Sequence, residues 1–289
     1  MLGCQSTDNQ SVRNTKMNPQ SRNPNLLLAA ITLFGLVYHN TVRSVRKTHR
    51  DALAAIMINV VQMLIMVAVF YLLFDLLGMR RMAIKGDFLL YIMSGIFVFM
   101  TNVKAMGAVN GAESSASPMM QHMPMTPVIS IMSAALGALY IQVISMIIIL
   151  GGYHLIWTPV VIDQPFGAAM MLVLAWISGC AVGLVFLGIK PWFPQVVAIG
   201  TQLYTRVNMF ASGKMFVANQ LTPAMVAMFA WNPLFHIIDQ GRGFAFINYF
   251  PHKSSMTYPI IVTIVLFVIG SILVTYSNKH ESLSWSAAR

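Results

Sequence analysis

Arg206 and Lys214 are two cations eight residues apart inside a run long enough to cross a membrane, Pro194 to Phe216. Charge is costly there: a cation at the centre of a membrane-crossing helix costs about 2.5 to 3.5 kcal/mol on insertion scales, so it is expected to face a bundle interior, a cavity or a partner chain. If one helix carries both, they share a face about 12 Å apart, a little over two turns, and such a ladder suits a polyanion. Lys214 can equally reach outward to the headgroups, its stem staying in apolar surroundings. Further along, His236, Asp239 and Arg242 follow one another at intervals of three, close enough on a helix for neighbours to touch. That trio can serve as a proton relay or metal site, or more simply as a hydrogen-bonded lock. Trp231-Asn232-Pro233 just before it caps and turns the chain, with Pro233 suited to the first turn of a helix.

Other chemistry is missing. His280-Glu281 is followed by Ser-Leu-Ser rather than completing a His-Glu-x-x-His zinc motif, and there is no Gly-x-Ser-x-Gly nucleophile turn. The 8 acids lie mostly in tails, connectors and the ends of apolar runs, which leaves no pair for acid–base catalysis. No Gly-x-x-x-x-Gly-Lys-Ser/Thr phosphate cradle occurs, so the chain cannot hydrolyse a nucleotide by that route. No catalytic residue, metal ligand or cofactor is expected on this chain. Cys4 and Cys180 are too isolated for a disulfide framework, and the 23 methionines read as filler for irregular packing.

The elements that must position these residues are membrane helices. With 57% hydrophobic and 9% charged residues in 289, the chain is not a soluble protein. At roughly 20 apolar residues per crossing of a hydrocarbon core about 30 Å thick, six runs qualify: about Ala52 to Leu77, Phe88 to Val103, Val128 to Gly151, Phe166 to Ile189, Pro194 to Phe216 and Tyr258 to Ser277. Most of the 18 cations fall in the tails and in the connectors after the second and fourth runs, against Arg80, Arg81, Lys85, Arg242 and Lys253 on the other side. Both termini are therefore expected in the cytoplasm, and the formal charge of +10 is explained by topology rather than nucleic-acid binding.

Residues 1–25 are polar and read as a disordered cytoplasmic tail. Residues 26–50 read as an interfacial amphipathic helix, with Leu27, Ile31, Phe34, Tyr38, Val42, Val45 and His49 on one stripe and Arg43, Arg46, Lys47 and Arg50 opposite. The six-helix transmembrane domain occupies 51–277 and a cytoplasmic tail 278–289. Between the fifth and sixth runs, 218–256 is apolar but broken by Pro223, Pro233 and Pro251. Neither half can span, and irregular backbone at membrane depth needs cover from protein or a water-filled cavity, so an outer re-entrant hairpin is expected.

A family pattern runs through these segments. Arg206-Val-Asn-Met-Phe210-Ala-Ser212-Gly213-Lys-Met-Phe216, Leu221-Thr-Pro223 and Trp231-Asn232-Pro233-Leu234-Phe-His236-Ile-Ile-Asp239-Gln-Gly-Arg242 resemble the end of the permease subunit of ABC-2 type capsular polysaccharide exporters. Phe70-Tyr-Leu-Leu-Phe74-Asp-Leu-Leu-Gly78, Gly86-Asp87-Phe88, Ser94-Gly95-Ile96 and Ala108-Val109-Asn110-Gly-Ala112-Glu113 extend the likeness upstream. Gln62-Met63 stands where the family often has an acidic residue before proline, and Lys214 where apolar residues are usual.

The resemblance implies an all-α, six-helix type-2 ABC exporter fold with an interfacial N-terminal helix, a coupling segment at 108–123 and the outer hairpin. It further implies a second copy of the chain and a partner ATPase that binds ATP and Mg, together with periplasmic and outer-membrane export proteins and a lipid-linked polysaccharide cargo. The expected location is the bacterial inner membrane. Asn110 and Glu113, with Arg46 and Lys47, are candidate contacts to the ATPase. Phe70, Tyr71 and Phe74 offer faces to sugar rings along a path shared with Arg206 and Lys214, or else belong to a membrane-interface belt. Cargo remains open between capsular polymer, O-antigen, teichoic-type polymer and other glycolipids; a membrane enzyme or a non-transporting scaffold is the competing class.

Overall fold

The computed structural model describes residues 35–37, 39, 41, 52–76, 78, 87–112 and 127–287, and the regular secondary structure among them is entirely helical. The chain divides into two compact units, Met1–Gly35 and Leu36–Arg289. Of the first only Gly35, in helical backbone, is described. The expected tail and interfacial helix therefore fall largely outside the described residues, as do Arg46, Lys47 and Glu113.

Eight α-helices follow in the second unit: α1 (Ala52–Leu76), α2 (Phe88–Asn110), α3 (Pro127–Ile156), α4 (Pro165–Ile189), α5 (Pro194–Ala211), α6 (Pro223–Phe229), α7 (Pro233–Ala245) and α8 (Thr257–Ala287), with a 3-10 turn at Ala218–Gln220. Proline begins several of them, as expected where its missing N–H is not needed and its fixed φ suits the first turn. Pro165, Pro194, Pro223 and Pro233 all sit at that position. Five helices are long and apolar enough to cross a membrane: Leu53–Leu76, Phe88–Asn110, Pro127–Ile156, Pro165–Ile189 and Thr257–Lys279. The 18-residue α5 is not among them, because Gln195, Thr201, Gln202, Thr205, Arg206 and Asn208 make it too polar.

The packing centres on α2 and α4, which lie against each other, with α8 and α7 also on α4 and with α1 and α3 on α2. Small residues make the central contact possible. A Cβ on Gly179 would lie 2.2 Å from the carbonyl oxygen of Asn102, and one on Gly183 would lie 2.8 Å from that of Met106. In an apolar solvent helices gain little from hiding apolar surface, so close backbone approach and interhelical hydrogen bonds carry the association. Buried polar side chains supply those bonds. Asn59 of α1 donates to Gln142 and Ser145 of α3 at 3.2 and 2.9 Å. Asn102 of α2 donates to the carbonyl of Ala175 on α4 at 3.1 Å and accepts from the Tyr204 hydroxyl on α5 at 3.0 Å. Ser133 of α3 donates to the carbonyl of Val37 at 3.3 Å.

Candidate functional site

The site is built where α5 ends. An unbroken helix through Pro194 to Phe216 was the expectation; α5 instead stops at Ala211, and Gly213 follows with φ +74°. That is left-handed backbone, which a glycine enters without a steric penalty and which commonly ends helices. A side chain at Gly213 would also collide with the Phe235 ring, which lies 2.7 Å from where its Cβ would be. Asn208 and Asn232 brace the end. The Asn232 amide nitrogen donates to Asn208 Oδ1 at 2.9 Å and to the Ala211 carbonyl at 3.0 Å, while its Oδ1 accepts from the Leu234 N–H and caps α7.

Arg242 fastens the segment beyond the turn. Its guanidinium donates to the carbonyl oxygens of Gly213 and Phe216, both at 2.9 Å, and of Lys214 at 2.7 Å. It lies 4.1 Å from the centre of the Tyr91 ring, where the electron-rich face attracts it. Gly95 is the opening that admits this group: a Cβ there would be 2.6 Å from the guanidinium. Arg242 is 1% exposed, so these carbonyls replace the water it lost.

His236, Asp239 and Arg242 share α7 but do not bond to one another. Asp239 accepts from the Tyr249 hydroxyl and, at 2.6 Å, from that of Ser254. His236 Nδ1 accepts from the Ser255 N–H at 3.0 Å, so the ring proton sits on Nε2, which points to the Ala230 carbonyl at 2.8 Å. Arg242 thus ties α7 to the loop after α5, while Asp239 and His236 both tie it to the segment before α8. Trp231 itself is largely exposed, and its carbonyl accepts from the Tyr258 hydroxyl at 2.7 Å. With Asp239 and both His236 nitrogens engaged, the cluster offers no open base or ligand. Among the described residues no group of three His, Cys, Asp or Glu is placed to hold a metal ion.

The helix end separates the two cations that the spacing had placed on one face. Arg206 stays on α5 and is exposed on the surface of the single chain. Lys214, past the turn, is 2% exposed and points inward, its Nζ 3.7 Å from the centre of the Phe99 ring and 4.6 Å from that of Phe70. The ladder expectation fails because left-handed backbone at Gly213 breaks the helical repeat, and Lys214 does not reach for headgroups. Phe70 and Phe74 are buried, Phe74 against Phe88 edge-on at 5.6 Å; Tyr71 is partly buried, 6.1 Å from Phe88. Within one chain these rings pack against protein.

At the other end of α2, Asn110 has its carbonyl bonded by the Lys190 amine at 3.0 Å, while its buried side-chain oxygen has no partner among the described residues. Gln62 accepts from Lys104 at 2.6 Å. At the start of α2, Asp87 accepts from Thr158 at 2.5 Å and Tyr153 at 2.7 Å. Those two hydrogen bonds, Thr158 first, hold its carboxyl below the ordinary value of 3.8. Sequence reasoning passed over Asn59, Asn102, Gln142, Gly179 and Gly183. The signal was present, in amides inside apolar runs and in a Gly-x-x-x-Gly at 179 to 183.

Two proteins of Escherichia coli, both named polysialic acid transport protein KpsM, are similar to this chain. One is 24% identical over 224 residues, covering 73% of this chain and 82% of the relative; the other is 23% identical over 215 residues, covering 71% and 78%. No family model matches. The similarity agrees with the polysaccharide-permease resemblance seen in the motifs between Phe70 and Arg242.

Proposed function

We propose that this chain is the membrane permease subunit of an ATP-driven exporter that moves a lipid-linked cell-surface polysaccharide, capsular in type, across the bacterial inner membrane. The observation that carries this reading is similarity to polysialic acid transport proteins over most of both chains. Five apolar, membrane-length helices support it. In this reading α5 is the sixth crossing, and 218–256 is the outer hairpin that covers it. An 18-residue helix is about 27 Å long, close to the hydrocarbon thickness, so α5 is long enough. Its polar composition then calls for a wet or protein-covered surroundings, and exposed Arg206 favours a conduit shared with a second copy over a lipid-facing position.

A separate polypeptide supplies ATP and Mg chemistry, docking near Asn110, Glu113 and the basic residues Arg46 and Lys47. Nucleotide binding there drives a rigid-body switch between loading and release states rather than chemistry on this chain. The test is a pull-down of the detergent-solubilised protein from its native host, with ATPase activity assayed on the purified complex. A nucleotide-hydrolysing subunit recovered in equal amount is the expected result. Recovery of the chain alone, with no ATPase activity, overturns the exporter assignment.

A further inference from the structure

Lys214 brings an amine into the packed interior of the helices and finds no acceptor there among the described residues. Phe99, whose ring it faces, lies midway along α2, about 16 Å from the start of that helix at 1.5 Å per residue. The Lys214 Nζ has no hydrogen-bond partner among the described residues, and the residue is 2% exposed. Ring faces attract a cation but leave its N–H donors without an oxygen to bond. Asp239 does not compensate, because its oxygens take the Tyr249 and Ser254 hydroxyls. Three more buried polar atoms of the surrounding knot, Tyr91 Oη, Ser212 Oγ and Arg242 Nε, have no partner among the described residues.

The backbone at this point is fixed while the head group is not satisfied. Arg242 holds the carbonyls of Gly213, Lys214 and Phe216, so the lysine stem starts from an anchored loop. The cover comes from two separate helices, Phe70 from α1 and Phe99 from α2. On its other side α1 exposes Ile65, Val69 and Leu72; toward the protein it is tied to α3 through Asn59 and to α2 through the Gln62–Lys104 bond, which must break for it to part from α2. A shift of α1 away from α2 uncovers the amine and leaves the Arg242 knot intact.

We propose that Lys214 is a latent binding site for an anionic oxygen group of the transported molecule, a sugar carboxylate or the phosphate of its lipid linkage, covered at rest by Phe70 and Phe99 and uncovered when α1 parts from α2. The proposal rests on the export function argued above. An anionic oxygen gives the ammonium the charge-assisted hydrogen bonds it lacks at rest, so cargo binding favours the open arrangement over the closed one.

The experiment uses the full-length protein in lipid nanodiscs and three probes: oligosialic acid on a phosphate-linked lipid, the same oligomer with its carboxyls reduced, and oligosialic acid on a phosphate-free lipid. Wild type is expected to bind at least one charged probe about 10-fold more tightly than Lys214→Met, which fills the same apolar slot, with Lys214→Arg close to wild type. A difference confined to carboxylate-bearing probes assigns the sugar acid; one confined to phosphate-bearing probes assigns the linkage. Equal binding by wild type and Lys214→Met, within about twofold for all three probes, overturns this proposal and leaves the export reading standing. Failure of wild type to bind any probe overturns this proposal, while the export reading stands or falls by the ATPase pull-down. Should Lys214→Met not fold, the wild-type protein is coupled by carbodiimide to the carboxylate-bearing probes. A crosslink at Lys214 is then expected, and its absence rejects the carboxylate form.

Discussion

Arg206 and Lys214 have the same charge and opposite surroundings, which makes their substitutions informative in different ways. Arg206 is exposed, so Arg206→Gln is expected to leave thermal stability unchanged within about 0.5 kcal/mol, as surface substitutions usually do. Polymer export by inverted vesicles is expected to fall about 10-fold, with Arg206→Lys retaining most of it; unchanged export by the Gln variant removes Arg206 from the cargo path. Arg242→Met carries the opposite expectation. It strips three carbonyls, two of them buried, of their donor, and the melting transition of the purified protein should show a loss on the order of 2 to 4 kcal/mol. Asp87 sets a pH dependence. Its carboxyl is held low by Thr158 and Tyr153, so its contribution is full above its ordinary value of 3.8 and is lost as pH falls through the lower folded-state value. The melting temperature difference between wild type and Asp87→Asn should thus be constant from neutral pH down to about 4 and shrink below it. A difference that already changes between pH 7 and 5 counts against this assignment.

At the level of elements, the α2–α4 contact depends on the absence of side chains at two positions one helical turn apart. Gly179→Ala places a methyl carbon against the Asn102 carbonyl, backbone that cannot move aside, and should destabilise by about 1 to 3 kcal/mol as overpacking does. Gly151→Ala is the control, because nothing lies within 4 Å of its added Cβ, and it should gain up to about 1 kcal/mol from helix propensity. Equal melting temperatures for the two variants would show that the helices tolerate separation. The helices themselves were legible in advance, since apolar runs bounded by Pro165, Pro194, Pro223 and Pro233 mark their starts with little ambiguity. The end of α5 was not. Ser212-Gly213-Lys214 lies between apolar Met209-Phe210-Ala211 and Met215-Phe216-Val217, and a glycine inside such a run reads as tolerated helix until the Phe235 ring is seen against it.

For the whole molecule, the distribution of cations argues for both ends in the cytoplasm, and the α8 helix runs past its apolar stretch to Ala287. A fluorescent protein fused after Arg289 is expected to fluoresce, and alkaline phosphatase at the same point to stay inactive; the reverse pattern would invert the topology and move the Asn110 end of α2 away from any cytoplasmic ATPase. Much of the surface of α1 and α8 is apolar and exposed in the single chain, including Leu64, Ile65, Leu72, Ile264, Phe267 and Val268. For a membrane protein that surface needs no second subunit to explain it, because lipid covers apolar side chains as well as protein does.

By itself the amino-acid sequence determined the class of protein, five long apolar helices among the six crossings it led one to expect, the absence of familiar catalytic motifs and the resemblance to polysaccharide permeases. These follow from composition and local order, which act through transfer of side chains and backbone into an apolar solvent. Only the tertiary structure decided that Asn59 meets Gln142, that Asp239 bonds Tyr249 and Ser254 rather than Arg242, and that Lys214 turns inward while Arg206 stays outside. Those outcomes depend on which donors and acceptors are brought within hydrogen-bond reach by segments far apart in the chain. They also depend on one glycine whose left-handed backbone redirects everything after it.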